Sequence, residues 1–172
     1  SIPTARPIAA QELGSTPLSE LPLTPLERLR EDVLDALEAH DGARAARLYG
    51  ELRQLDPQAI LPRRQQLELA NELNQMGRHS EAVTAYADLL SAYPALPEAA
   101  QVRLLAGLIC NRYLDRPADA APYLRAAAAA LTAQGQRELA LAELRDAEAR
   151  VLGRQARPPG DSTPPPGPST GN

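Results

Sequence analysis

The chain contains no Phe, no Trp and no Lys, and aromatic residues make up only 3% of its 172 residues. All 18 basic residues are therefore Arg. Because Schiff-base catalysis needs a lysine amine, that class of enzyme is excluded. Since large aromatic rings are scarce, Ala and Leu must supply most of the core, and packed helices must approach one another closely. Ala, Leu, Arg, Glu and Gln are strong helix formers, so the composition predicts an all-α fold.

Cysteine and long apolar runs are equally scarce. Cys110 is the one cysteine, which excludes an internal disulfide. No apolar run approaches the roughly 20 residues that a membrane-spanning helix needs. The net charge is −4, with acidic and basic residues interspersed, whereas a nucleic-acid-binding protein carries a concentrated basic face. We therefore expect no nucleic-acid partner and no direct membrane span.

Two stretches of the chain share one spacing of small, aromatic and proline residues. The pattern Ala45, Tyr49, Leu52 and Pro57 recurs 37 residues later as Ala82, Tyr86, Leu89 and Pro94, and a weaker third copy follows at Ala120, Leu124 and Ala127. A period of this size is typical of stacked helical hairpins, each of which buries its apolar face against its neighbours. The predicted fold is an α-solenoid of three helical hairpins plus a C-terminal capping helix.

Local signals place the helix boundaries. Thr24 and Glu27 form a capping box at the start of the first helix, and Ser80 is a good N-cap for the fourth. The seventh helix, about 136–152, has an apolar face and a strongly charged face, as a capping helix should. Its apolar face is predicted to contain Leu139, Leu144, Ala147 and Val151.

Proline content divides the chain into three parts. Residues 1–23 are predicted to be a proline-rich linker, residues 24–153 a helical-repeat domain, and residues 154–172 a disordered Pro/Gly-rich tail. The chain begins at Ser1 without Met or a signal-peptide pattern. We therefore expect a processed protein or a fragment cut from a longer one.

The periodic core resembles the tetratricopeptide repeat family. The middle hairpin, 63–96, has the family's 34-residue length, with Leu69, Ala70 and Gly77 at the family's leucine, small-residue and turn positions. The resemblance implies a non-catalytic scaffold for protein–protein interaction, in which the first helix of each hairpin lines a concave groove.

A narrower resemblance covers 61–71 and continues through 113–117. This part of the chain is similar to soluble repeat domains attached to some bacterial rhomboid-type intramembrane proteases. The resemblance implies a soluble module of a larger membrane-bound protein. The expected location is cytoplasmic, and at the membrane if the module belongs to such a protein.

A polar row on the third helix is the candidate partner site. Its members are separated by intervals of four, three and four residues, so they share one helix face: Arg64, Glu68, Asn71 and Gln75. Arg30 and Glu38 would join them from the first helix. The row either faces a groove that binds a protein or peptide segment, with Arg64 and Asn71 as hydrogen-bond donors, or it is an ordinary solvated helix face.

No pattern predicts catalysis, and we expect no enzyme, no metal and no cofactor. His40 and His79 occupy equivalent hairpin turns, as a metal-binding pair or as two solvated turn residues, and no third ligand is in register. Cys110 is expected to be a small buried hydrophobe. The alternative function is self-association as a structural subunit, a homo-oligomer through the fifth and sixth helices. Its candidate contacts, on the condition that they are exposed, are Leu67, Leu105 and Ile109.

Overall fold

A computed structural model describes residues 21–157, and within that range the chain forms seven α-helices and no strand. The helices are α1 (Pro25–Glu38), α2 (Gly42–Leu55), α3 (Arg63–Gln75), α4 (His79–Ala92), α5 (Ala99–Arg112), α6 (Pro117–Ala130) and α7 (Gln134–Gln155).

The helices pack as three hairpins and one further helix. α1 pairs with α2, α3 with α4, and α5 with α6, while α2 contacts α3 and α4 contacts α5 across the two joints between hairpins. α1 also contacts α3, and α7 packs along α6 and touches α5. The predicted α-solenoid of three helical hairpins plus a C-terminal helix is confirmed.

The repeated residues form the centre of the core. Ala45, Ala82 and Ala120 are fully buried, and Tyr49 and Tyr86 are buried one helical turn later. The small alanines let helices approach closely, and the tyrosine rings fill the adjacent space while each hydroxyl reaches a polar partner. The repeat period therefore records equivalent packing positions in successive hairpins.

The third hairpin achieves close approach with a glycine. A Cβ atom built on Gly107 of α5 would lie 2.6 Å from Cγ and 2.7 Å from Cδ2 of Leu124 on α6. Such contacts are shorter than packed side chains allow. Gly107 is therefore required by the branched side chain of Leu124.

The predicted capping box of α1 is confirmed. The Thr24 hydroxyl accepts a hydrogen bond from the Glu27 backbone N–H at 3.2 Å, and the Glu27 carboxylate accepts one from the Thr24 N–H at 2.8 Å. The Thr24 N–H and the Thr24 hydroxyl both donate to the Glu27 carboxylate, and these bonds lower its pKa. They also satisfy N–H groups that the first turn leaves without helical partners.

The predicted N-cap of α4 is wrong. Arg78, not Ser80, precedes the helix, and Ser80 lies in its first turn. Gly77 adopts a left-handed conformation with φ 74°, which glycine allows without a steric penalty. The chain therefore reverses immediately after α3, and α4 begins earlier than a side-chain cap at Ser80 would permit.

The buried face of α7 agrees with the prediction at Leu144 and Ala147 and differs from it at Leu139. Ala140 and Ala147 are fully buried, and Leu144 packs against the core, but Leu139 is 37% exposed. α7 also includes Gly135, which was predicted to belong to the preceding connection. Because the buried alanines are small, the contact of α7 with the core contains few large side chains.

Polar contacts supply the rest of that attachment. Arg150 of α7 donates 2.7 Å hydrogen bonds to the backbone oxygen and Oδ1 of the buried Asn111, whose amide donates to Glu143 Oε2 at 3.0 Å and Asp146 Oδ2 at 2.8 Å. The Arg112 guanidinium donates to Glu143, and this bond lowers the pKa of the Glu143 carboxyl. Charged residues predicted to face solvent thus bind α7 to the end of α5.

The turn between α5 and α6 joins the same polar contacts. Asp115 adopts a left-handed conformation with φ 53° and accepts hydrogen bonds from both Arg150 and Arg154. A single short acidic residue therefore replaces the glycine expected at a hairpin turn and holds two arginines of α7.

The predicted linker and tail lie mostly outside the described residues, and the three-part division of the chain stays a prediction. Between residues 21 and 157, no helix combines the length and apolar character required to cross a membrane.

Candidate functional site

The first helices of the first two hairpins enclose a depression on one side of the molecule. α1 and α3 are in contact, and the space beside them has a volume of about 460 Å³. Its lining is mainly polar and charged, with two leucines at its base: Leu34, Leu37, Glu38, His40, Arg64, Gln65 and Glu68. We call this space the α1–α3 groove.

Two members of the predicted polar row lie in this groove. Arg64 is exposed in the first turn of α3, and Glu68 is half-buried one turn later. The Glu68 carboxylate lies 4.0 Å from Nδ1 of His40, whose imidazole is itself almost fully exposed. A cation, a carboxylate and an imidazole are therefore presented together beside the apolar Leu34 and Leu37.

The other three predicted residues lie elsewhere. Arg30 is half-buried on α1 and does not line the groove, while Gln75 is exposed at the end of α3. Asn71 is half-buried, and its Oδ1 accepts a 2.6 Å hydrogen bond from the Tyr86 hydroxyl. Burial raises the pKa of Tyr86 to about 12, which keeps its hydroxyl protonated and able to donate. Asn71 therefore joins α3 to α4.

Gln66 is a structural residue that the sequence analysis did not identify. It is fully buried, and its Oε1 accepts a 3.1 Å hydrogen bond from the Leu61 backbone N–H. Its amide donates at 3.2 Å to the Tyr49 hydroxyl and to the Ala85 carbonyl oxygen. One side chain thus connects α2, α3, α4 and the segment that joins the first two hairpins.

A signal for Gln66 was present in the sequence. Gln66 precedes Leu69, Ala70 and Leu73 by three, four and seven residues, the spacing of one helix face. A polar residue on that face must be buried with hydrogen-bond partners. The predicted polar row lies on an adjacent face of α3, with Arg64 and Glu68 each two residues from Gln66.

The two histidines have different surroundings. His79 stacks on the Tyr113 ring with centroids 4.3 Å apart, and its Nδ1 lies 3.0 Å from Oδ1 of Asn74. His40 instead faces solvent beside Glu68. Among the residues of the described range, no three His, Cys, Asp or Glu side chains are grouped as metal ligands would be.

Cys110 is buried on α5, as expected. Burial, with Asp119 nearby, raises the pKa of its thiol. Because the thiolate is the reactive form of cysteine, this environment suits a packing residue.

No family model matches the chain, and no curated protein matches it. Among solved structures, the chain is similar to the tetratricopeptide repeat domain of Sgt2 from Aspergillus fumigatus, with 17% sequence identity and a TM-score of 0.45. The similarity covers 88% of this chain and 96% of that domain. This similarity is too low to support an argument about the architecture. The packing of this chain's own helices supports the architecture instead.

Proposed function

We propose that the chain is a non-catalytic protein-interaction module that holds an extended segment of a partner protein in the α1–α3 groove. The observation that carries the proposal is the juxtaposition of exposed Arg64 and half-buried Glu68 with Leu34 and Leu37 in one concave space. Polar groups in a concave site fix the orientation of a bound ligand, and this groove is lined mainly by such groups.

Each charged residue of the groove has a distinct role in this proposal. Arg64 donates hydrogen bonds to a carbonyl or carboxylate oxygen of the bound segment, since a guanidinium carries only donors. Glu38 and Glu68 face a basic or amide group of the segment. Leu34, which is half-buried, contacts an apolar side chain between these polar groups. The preferred segment therefore combines one apolar residue with a basic residue beside it.

Replacement of groove charges tests the proposal. Peptides would be selected from a displayed library on the full chain, and their affinities measured by fluorescence polarisation. Arg64→Ala and Glu68→Ala are each expected to weaken the selected peptides by about tenfold, the usual effect of removing a charge-assisted hydrogen bond. Arg47→Ala, an exposed arginine on α2, is the matched control and should leave the affinity unchanged.

Two outcomes would contradict the groove assignment. The first is that the selected peptides bind the Arg64 and Glu68 variants as tightly as the wild type. The second is that the Arg47 variant loses as much affinity as the Arg64 and Glu68 variants. The melting temperature of each variant separates loss of binding from loss of folding. Asn71 is unsuitable for this test because its contact with Tyr86 contributes to the fold.

Self-association through the fifth and sixth helices has less support. The three candidate contacts depended on being exposed, and two of them do not meet that condition: Ile109 is only 2% exposed, and Leu67 is half-buried against the core. Leu105 alone of these candidates is exposed. Attachment to a larger membrane-bound protein and a cytoplasmic location stay predictions.

A further inference from the structure

The outer side of α7 carries large apolar side chains that are exposed and do not contribute to the core of the chain. Leu152 is 65% exposed and Leu141 is 40% exposed. With Arg145 and Glu148, both exposed, they follow intervals of four, three and four residues and share one helix face. We call Leu141, Arg145, Glu148 and Leu152 the α7 stripe.

An apolar groove runs beside the α7 stripe. It lies between α6 and α7, has a volume of about 420 Å³, and continues the apolar surface of Leu152 onto α6. Its lining residues are Ala118, Ala121, Arg125, Glu148, Val151 and Leu152. The stripe and the groove together offer a surface on which another helix can lie.

The order of residues in the α7 stripe is self-complementary. The stripe reads leucine, cation, anion, leucine, with equal intervals on both sides of its midpoint. An antiparallel copy of α7, related by a two-fold axis at that midpoint, places Leu141 opposite Leu152 of the second copy. The same rotation places Arg145 opposite Glu148 of the second copy, and both contacts occur twice.

We propose that this surface is a homodimer interface in which two copies of α7 pack antiparallel. A two-fold interface closes on itself, so the assembly stops at two chains. A parallel pairing would place Arg145 against Arg145 and Glu148 against Glu148, and such like-charge contacts are unfavourable. The charge order of the stripe thus selects the antiparallel arrangement.

The surroundings of the two charged residues fit this pairing. Glu148 Oε1 accepts a 2.7 Å hydrogen bond from Arg125 of α6, which orients the carboxylate and leaves Oε2 for Arg145 of the second copy. Within residues 21–157, Arg145 has no ion-pair partner of its own. Two leucine contacts and two ion pairs form a small interface, so we expect dissociation in the micromolar range.

Sedimentation equilibrium of the full chain from micromolar to millimolar concentration tests the dimer. The wild type is expected to pass from monomer to dimer, and Leu152→Glu to remain monomeric. Leu55→Glu is the matched control, because Leu55 on α2 is also 65% exposed but lies far along the chain from the α7 stripe; this variant should dimerise like the wild type. Circular dichroism of each variant verifies folding.

Disulfide trapping tests the orientation. Residues 141 and 152 are eleven positions apart, about 16 Å along a helix, so antiparallel packing brings each close only to the other residue of the second copy. Leu141→Cys mixed with Leu152→Cys should give a covalent heterodimer under mild oxidation, while each variant alone should give none. The native Cys110 is buried and should contribute little background.

Three results would overturn the proposal. The first is a wild type that is monomeric at every concentration, and the second is a Leu152→Glu variant that dimerises as tightly as Leu55→Glu. The third is that each cysteine variant crosslinks to itself. A monomeric full chain that dimerises only after removal of residues 158–172 would assign the surface to the chain's own C-terminal segment, and would equally exclude the dimer as stated.

Discussion

At the scale of single residues, buried polar side chains determine how the first two hairpins meet. Gln66 satisfies the Leu61 N–H and the Tyr49 hydroxyl at once, and the Tyr93 hydroxyl donates to the Leu61 carbonyl oxygen at 2.9 Å. The segment between the hairpins is therefore held by both of its polar backbone groups at Leu61. A buried backbone group without such a partner would be costly.

Gln66→Leu is expected to destabilise the protein. Leucine has a similar size but no polar group, so the buried Leu61 N–H loses its partner, at a cost of about 1–3 kcal/mol in the free energy of unfolding. Urea denaturation followed by circular dichroism measures this cost. Gln65→Leu, at the neighbouring half-buried position, is the control and should change stability by less than about 0.5 kcal/mol. Equal stability of the two variants would show that Gln66 is dispensable.

Sequence reasoning succeeded for residues whose type and position agree, such as Ala82 and Tyr86. It failed where a side chain of one chemical class occupies a position typical of another. Gln66 and Asn71 are both amides on α3, but only three-dimensional packing shows that both face tyrosine hydroxyls. Of the predicted polar row, Arg64 and Glu68 meet in one space because α1 lies beside their turn of α3, and Gln75 lies too far along the helix to join them.

At the scale of helices, the distance between α5 and α6 depends on one missing side chain. Gly107 faces Leu124 so closely that a methyl group has no room. The corresponding position in the second hairpin, 37 residues earlier, is Ala70, which is also fully buried. The third hairpin thus uses a smaller residue where its partner helix presents a leucine.

Gly107→Ala and Gly50→Ala are expected to have opposite effects. A Cβ on Gly50, within α2, meets nothing within 4 Å, so alanine there should stabilise the protein by about 0.5–1 kcal/mol through its higher helix propensity. At Gly107 the steric clash with Leu124 outweighs that gain, with a net loss of about 1–2 kcal/mol. Thermal and urea denaturation measure the stability of both variants. A stabilised Gly107→Ala variant would contradict the close approach of Gly107 to Leu124.

The helix boundaries show the same division between predictable and unpredictable features. The capping box at Thr24 was predictable because its hydrogen bonds involve residues three apart. The exposure of Leu139 was not, because Leu139 and Leu144 are equally apolar in the sequence. Nor were the contacts of Arg150 with Asn111 and Asp115, which lie more than thirty residues away along the chain.

At the scale of the whole molecule, the two ends of the solenoid are built differently. The first two hairpins share a core of leucines and tyrosines, whereas α7 adheres through small alanines and a set of charged contacts. Because ion pairs respond to pH and apolar contacts do not, acid is expected to weaken the attachment of α7 before it affects the rest of the solenoid.

Glu143 provides the measurement of this difference. Arg112 holds its pKa below the usual 4.5, so its contribution to stability is complete above the unfolded-state pKa and is lost as the pH falls through the lower folded-state value. Glu143→Gln should therefore destabilise the protein at pH 7, and its difference from the wild type should shrink in acid. Urea denaturation at a series of pH values would reveal the trend. Glu31→Gln, an exposed glutamate on α1, is the control, and a pH-independent effect of Glu143→Gln would refute the expectation.

The hydrogen bond between Gln66 and Tyr49 favours one order of the first two hairpins. The positions equivalent to Gln66 hold Leu29 in the first hairpin and Arg103 in the third. A chain with its first two hairpins exchanged would leave the Gln66 amide at an open end and set Leu29 against a tyrosine hydroxyl. The hairpins repeat the same spacing of packing residues, but they are not interchangeable, because the residue at the joint differs between them.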